Sequence, residues 1–100
     1  MKHEMESICS SKLIIDNEKV RVTRFDFEPK QETGWHMHKY DYLITAITDC
    51  SMLLNKPDGT NEKAEILKGS VYAREAGVHH NVINVSDKLM SFIEIELKSE

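Results

Sequence analysis

Gly34-Trp35-His36-Met37-His38-Lys39-Tyr40-Asp41-Tyr42 opens the most β-prone run of the chain, which continues through Leu43-Ile44-Thr45-Ala46-Ile47-Thr48. Aromatic and β-branched side chains of this kind fit a pleated, half-buried surface. Trp35–Thr48 is long enough for two strands or one long bent one. Successive side chains of a strand alternate faces, so His36 and His38 stand side by side on the same face.

The same punctuated pattern extends in both directions. Upstream, Lys12–Ile15 and Lys19–Phe27 read as strands divided by Asp16-Asn17, and Pro29–Gly34 forms a polar turn. Downstream, Ser51–Asn55 is closed by Lys56-Pro57-Asp58-Gly59, where Pro presets φ and Gly accepts a positive φ. Ala64–Leu67, Ser70–Arg74, His80–Val85 and Leu89–Leu97 follow, each bounded by Gly, Asn, Ser or Asp. Eight or nine short strands at regular spacing predict an antiparallel sandwich or barrel. Glu4–Lys12 is the one segment with helical character. Within Lys19–Phe27, Val20 and Val22 share one face while Phe25 and Phe27 take the other. This predicts either a bulge near Thr23 or Arg24, or a strand covered on both faces.

With 100 residues the chain is expected to form a single domain, residues 1–100, whose barrel core spans about 18–97. Its core is thin, which favours association of copies. The formal net charge of −4 and scattered basic residues argue against nucleic acid as a partner. The N-terminal residues are charged, and no apolar run approaches the length of a membrane helix. Cys9 and Cys50 stand apart without a disulfide-dense spacing. A cytoplasmic protein away from the membrane is the expectation. Phosphate-binding glycine loops, dinucleotide fingerprints and nucleophile elbows are absent.

Four of the five histidines fall in two clusters, His36 with His38 and His79 with His80. Two imidazoles on the inner face of a small barrel repel each other when protonated and lack partners when neutral. A metal ion resolves both conditions. A solvent-facing pair on an edge strand would not need one.

The spacing Gly69-x5-Glu75-x-Gly77-x2-His80-x3-Asn84, downstream of the His36-x-His38 pair, resembles the two motifs of the cupin superfamily. The likeness spans about residues 34–84, with Glu75 at the position of the second motif's proline. The G-W-H-x-H…D-Y string and the closing Glu94-Ile95-Glu96-Leu97 are most similar to small bacterial cupins that include proteins of β-alanine degradation. The resemblance implies an all-β fold, the double-stranded β-helix (jelly-roll) barrel, with a metal in its mouth.

Carried over by position, His36, His38 and His80 become the metal ligands. His79, one residue earlier, is expected to face the other way, although it is an alternative to His80. The first motif's glutamate is replaced by Tyr42, so the site has either three histidines with an open position or Asp41 as a fourth ligand. The ion is a divalent metal: Fe, Zn, Mn or Ni. The implied function is a metal-dependent enzyme, oxygenase-like, acting on a small organic acid as a non-haem dioxygenase or isomerase-type cupin. The alternative is a non-catalytic module that binds metal and a small molecule. Tyr40, Tyr42, Arg24 and Glu94 are the candidates for a catalytic or substrate-holding role. Apolar residues on both faces of Trp35–Thr48 point to a homodimer.

Overall fold

The computed structural model describes residues 7–98. Among them nine strands follow in order: β1 Ser10–Asp16, β2 Val20–Phe27, β3 His36–Met37, β4 Asp41–Ala46, β5 Cys50–Asn55, β6 Asn61–Ile66, β7 Val71–Arg74, β8 His79–Asn84 and β9 Met90–Leu97. They form two antiparallel sheets, β1-β2-β9-β4-β7 and β3-β8-β5-β6, packed face to face as a jelly roll. Residues 4–6 of the expected helical segment lie outside the described residues, and Ser10–Lys12 belong to β1 instead.

Trp35–Thr48 is two strands. The chain leaves β3 after Met37, bends at Lys39 and Tyr40, and re-enters regular pairing at Asp41. The even parity of the two histidines nevertheless carries into β4, and only Tyr40, on the bend itself, departs from it. In β4 the even-numbered Tyr42, Ile44 and Ala46 are buried and the odd-numbered residues are not.

The core lies between the sheets. Phe25, Phe27 and Phe92 meet there with ring centroids 5.5–6.5 Å apart, at tilted angles that suit the ring quadrupoles. Met52 and Val82 close the core from the opposite sheet. Asn84 is fully buried among them. Its amide donates to the Phe27 and Lys88 carbonyls, and its Oδ1 accepts from the backbone N–H and hydroxyl of Ser86.

The bulge expected near Thr23 or Arg24 is not found in β2; the irregularity lies in β1. β2 pairs with β9 in one unbroken register, whereas β1 shifts register between Leu13 and Ile15. Phe25 and Phe27 therefore face the core in a single phase, and Val20 and Val22 lie on the outer face. There, Ile15, Val22, Ile95, Leu43 and Ala73 stand directly opposite one another across five strands. One row of the outer surface is thus apolar from edge to edge.

Candidate metal centre

β3 is only two residues long, yet it places His36 directly opposite His80 of β8. Directly opposed residues of an antiparallel pair share a face. Two further backbone bonds carry the pairing past the end of β3: the His38 N–H donates to the Val78 carbonyl, and the Gly77 N–H donates to the His38 carbonyl, each at 2.8 Å. The second bond depends on Gly77, whose φ of 102° is rarely adopted by an L side chain. Asn81, also buried, ties the entering loop down. Its Oδ1 accepts the Gly34 N–H at 2.9 Å, and its amide donates to Glu32 and Asn55.

His36, His38 and His80 consequently point their Nε2 atoms at one spot. His38 Nε2 lies 3.1 Å from His36 Nε2 and 3.3 Å from His80 Nε2. Three nitrogens each about 2.0–2.1 Å from a metal, at angles between octahedral and tetrahedral, stand roughly 2.8–3.4 Å apart. The tautomers agree with this arrangement. His36 Nδ1 lies 2.9 Å from the Gly34 carbonyl, which can only accept, so Nδ1 carries the proton and Nε2 a lone pair. His38 Nδ1 is 3.3 Å from Glu94 Oε2. With the carboxylate ionised, that nitrogen is also a donor and His38 Nε2 is bare. Two lone pairs facing each other at such a distance repel, and a cation between them removes the repulsion. The three side chains thus fit a divalent ion.

Electrostatics keeps the donors available. Burial, reinforced by His36 and His80, pushes the His38 imidazolium down to about 3. Burial, with His36 and His79, pushes His80 down to about 4. At neutral pH both rings are uncharged, as metal ligation requires. Glu94 is 7% exposed, and burial, with Glu96 nearby, raises its carboxyl to about 7.

The histidines open onto a cavity of about 50 Å³ between the sheets, walled by Phe25, Ile44, Met52, Leu54 and Phe92. Tyr42 and Glu94 line it as well. The Tyr42 ring stacks on His38 with centroids 3.9 Å apart and planes at 20°. Tyr42 thus occupies the position of the expected acidic ligand with an aromatic surface.

The other sequence candidates are not brought to the cavity. Asp41 is exposed and its Oδ1 accepts the Ala76 N–H at 2.8 Å, so it does not face the histidines as a fourth ligand. Tyr40 sits on the bend, half-buried beside the Lys39 ammonium, and does not line the cavity. Arg24 is paired with Asp26 on the outer face, at 3.2 Å. It shares the parity of Val20 and Val22, but that parity is the outward one. His79 is exposed and meets the edge of Trp35. Arg74, in contrast, reaches the cavity although it belongs to neither histidine motif. The signal available was its two-residue spacing from Tyr72 on one strand face.

No family model matches the chain. The chain is 44% identical to the β-alanine degradation protein BauB of Pseudomonas aeruginosa over 84 residues, which cover 84% of this chain and 87% of the relative. Among solved structures, a cupin domain from Bordetella pertussis shares 41% identity and superposes with a TM-score of 0.89, covering 99% of both chains. A cupin superfamily protein from Desulfitobacterium hafniense covers 91% of this chain and 78% of its own at a TM-score of 0.71. Its identity is 13%, a likeness of fold alone.

Proposed function

The chain belongs to the cupin family, and from that membership and the histidine geometry we propose that it is a metal-dependent enzyme acting on a small organic acid. The observation that carries this reading is the convergence of three imidazoles at the wall of a cavity, the Nε2 atoms of His36 and His80 lying 3.1 and 3.3 Å from that of His38. A divalent ion held there by three neutral ligands keeps its full charge and open positions, and supplies Lewis-acid chemistry or, as Fe(II), activation of O2 beside the substrate. Oxygenase-like chemistry is our leading reading.

The surrounding residues have separate tasks in this proposal. Glu94 holds the proton of His38 Nδ1 and so fixes which nitrogen faces the ion. The apolar wall excludes bulk water, which strengthens electrostatic interactions inside the cavity. Tyr42 limits the rotation of the His38 ring by stacking on it. The similarity to BauB, a protein of β-alanine degradation, favours a short acid as substrate.

The test is metal content per subunit of tag-free protein, for wild type and His36→Ala/His38→Ala. Near-stoichiometric metal lost in the variant is expected, followed by metal-dependent turnover in an anaerobic Fe(II) screen. Negligible metal in both after reconstitution with Fe, Mn, Ni and Zn would overturn the metal reading. Stoichiometric metal without turnover would leave a binding module.

We further propose a homodimer joined through the outer face of the five-stranded sheet. The row Ile15, Val22, Ile95, Leu43 and Ala73 is apolar and carries no charge, so an identical face meets it without repulsion. Light scattering should give twice the chain mass for wild type and one chain mass for Ile95→Lys; a wild-type monomer at high concentration overturns the pairing. Both cysteines are free thiols, which supports a reducing cytoplasmic setting.

A further inference from the structure

One guanidinium borders the cavity, that of Arg74, an exposed residue at the end of β7 that lies at the cavity's solvent side. It is held in place from two sides. Its Cζ lies 4.5 Å from the centroid of Tyr72, and its Nη1 donates to the Ala73 carbonyl at 3.1 Å. Among the described residues no carboxylate pairs with it. Arg21 reaches Glu96 and Arg24 reaches Asp26, so the other arginines are engaged. Arg74 is also close to the metal-binding side chains through the sheet. It stands directly opposite Tyr42, the residue stacked on His38.

A stacked, oriented guanidinium with unused N–H donors matches the planar geometry of a carboxylate. The charge balance of the cavity favours the same ligand. The lining supplies Arg74, three imidazoles and one carboxyl group, Glu94, with the Glu96 carboxylate close beside it and shared with Arg21. Adding a divalent ion leaves the cavity positive and able to accept an anion. Its size sets a further limit. A water position takes about 10–15 Å³ by this measure, so 50 Å³ admits a body of only a few non-hydrogen atoms.

We propose that Arg74 receives the carboxylate of a short aliphatic acid, about two to four carbons long, whose opposite end reaches the metal held by His36, His38 and His80. This rests on the metal-centre reading above. Arg74 is then the residue that selects acids over neutral analogues, while Tyr72 keeps its fork oriented.

The experiment uses the full chain loaded with Co(II), with metal content measured separately for every variant. The probes are acetate, 3-hydroxypropanoate and 3-oxobutanoate, with 3-hydroxypropanamide as the neutral counterpart. The visible Co(II) spectrum reads binding near the ion. At least one acid is expected to shift the wild-type spectrum, with the amide binding at least ten-fold more weakly. Arg74→Gln should bind that acid at least ten-fold more weakly at unchanged metal content, and Arg74→Lys should recover part of the loss. Equal binding of acid and amide, equal acid binding by Arg74→Gln, or no shift with any acid overturns the role of Arg74 while the metal stays bound. Failure of wild type to take up Co(II) overturns the metal reading instead. Calorimetric titration of the acids into metal-free wild type and Arg74→Gln then decides Arg74 alone: binding that requires the arginine supports it, and no difference overturns it.

Discussion

Glu94 Oε2 lies 3.3 Å from His38 Nδ1, on the side of the ring opposite the nitrogen that faces His36 and His80. A carboxylate in this relation orients the imidazole and raises its basicity as a ligand. Glu94→Ala should weaken Zn(II) or Co(II) binding toward the upper end of a roughly 10–100-fold range. Glu94→Gln should fall toward the lower end, because its amide oxygen still accepts from Nδ1. Calorimetric metal titration checks both; equal affinity in all three proteins would mean that the ring is held by packing alone.

Stability of the metal-free protein should fall on acidification. His38 stays neutral in the folded state to about 3 and His80 to about 4, against 6.5 for an ordinary histidine. Below 6.5 the unfolded chain therefore binds protons that the folded chain refuses, and stability drops as pH falls toward 4. Glu94 has the opposite sign. Raised to about 7 from 4.5, it keeps its proton when folded, and its contribution fades as pH rises through that window. Urea midpoints should thus decline between pH 6.5 and 4.5, more steeply in Glu94→Gln. A flat profile in both proteins would remove these assignments.

Tyr42 joins the core to the site through its stack on His38. Tyr42→Ala should lose about 3–5 kcal/mol, the range for removing a buried ring, and should weaken metal binding as His38 gains freedom. Tyr42→Phe keeps the ring and should lose less than about 1.5 kcal/mol. Denaturant unfolding with metal titration separates the two effects; equal metal affinity in the Ala variant would show that the stack does not position His38.

Asn84 stabilises the fold without facing the histidines. Its amide and oxygen bind one strand end, Phe27, to the Ser86–Lys88 turn. Asn84→Ala leaves buried partners unpaired and should lose about 2–4 kcal/mol, with metal affinity of the folded protein unchanged. A loss below about 0.5 kcal/mol in urea unfolding would show that water replaces the side chain.

Much of this was legible before folding was considered. Alternation, Gly and Pro-Asp-Gly turns mark most strands because each depends only on neighbours in the chain. The His36–His38 pair is visible for the same reason. What depends on pairing was not. The bulge expected in β2 is absent and β1 carries a register shift instead, because register belongs to two strands and a sequence shows only one of them at a time. Arg24 suggested an inward side chain through its parity with valines, but this sheet is apolar on its outer face too. The count from His38 turns Asp41 outward and Tyr42 inward, as found, and fails only for Tyr40, which sits on the bend. Glu94 and Arg74 reach the cavity only through the register of β9, β4 and β7.

The two-residue length of β3 also bears on how an ion enters and leaves. His38 and His80 are 42 residues apart in sequence, so an ion shared between them closes a long loop in a chain whose cysteines are both free. It would act as a reversible cross-link, slowing detachment of the weakest-paired segment of its sheet. Release of the ion then needs only that segment to peel from β8, not the opening of the whole jelly roll. The exchange of backbone amide hydrogens at Met37 and His38 and the off-rate of the ion should accordingly report one and the same local event.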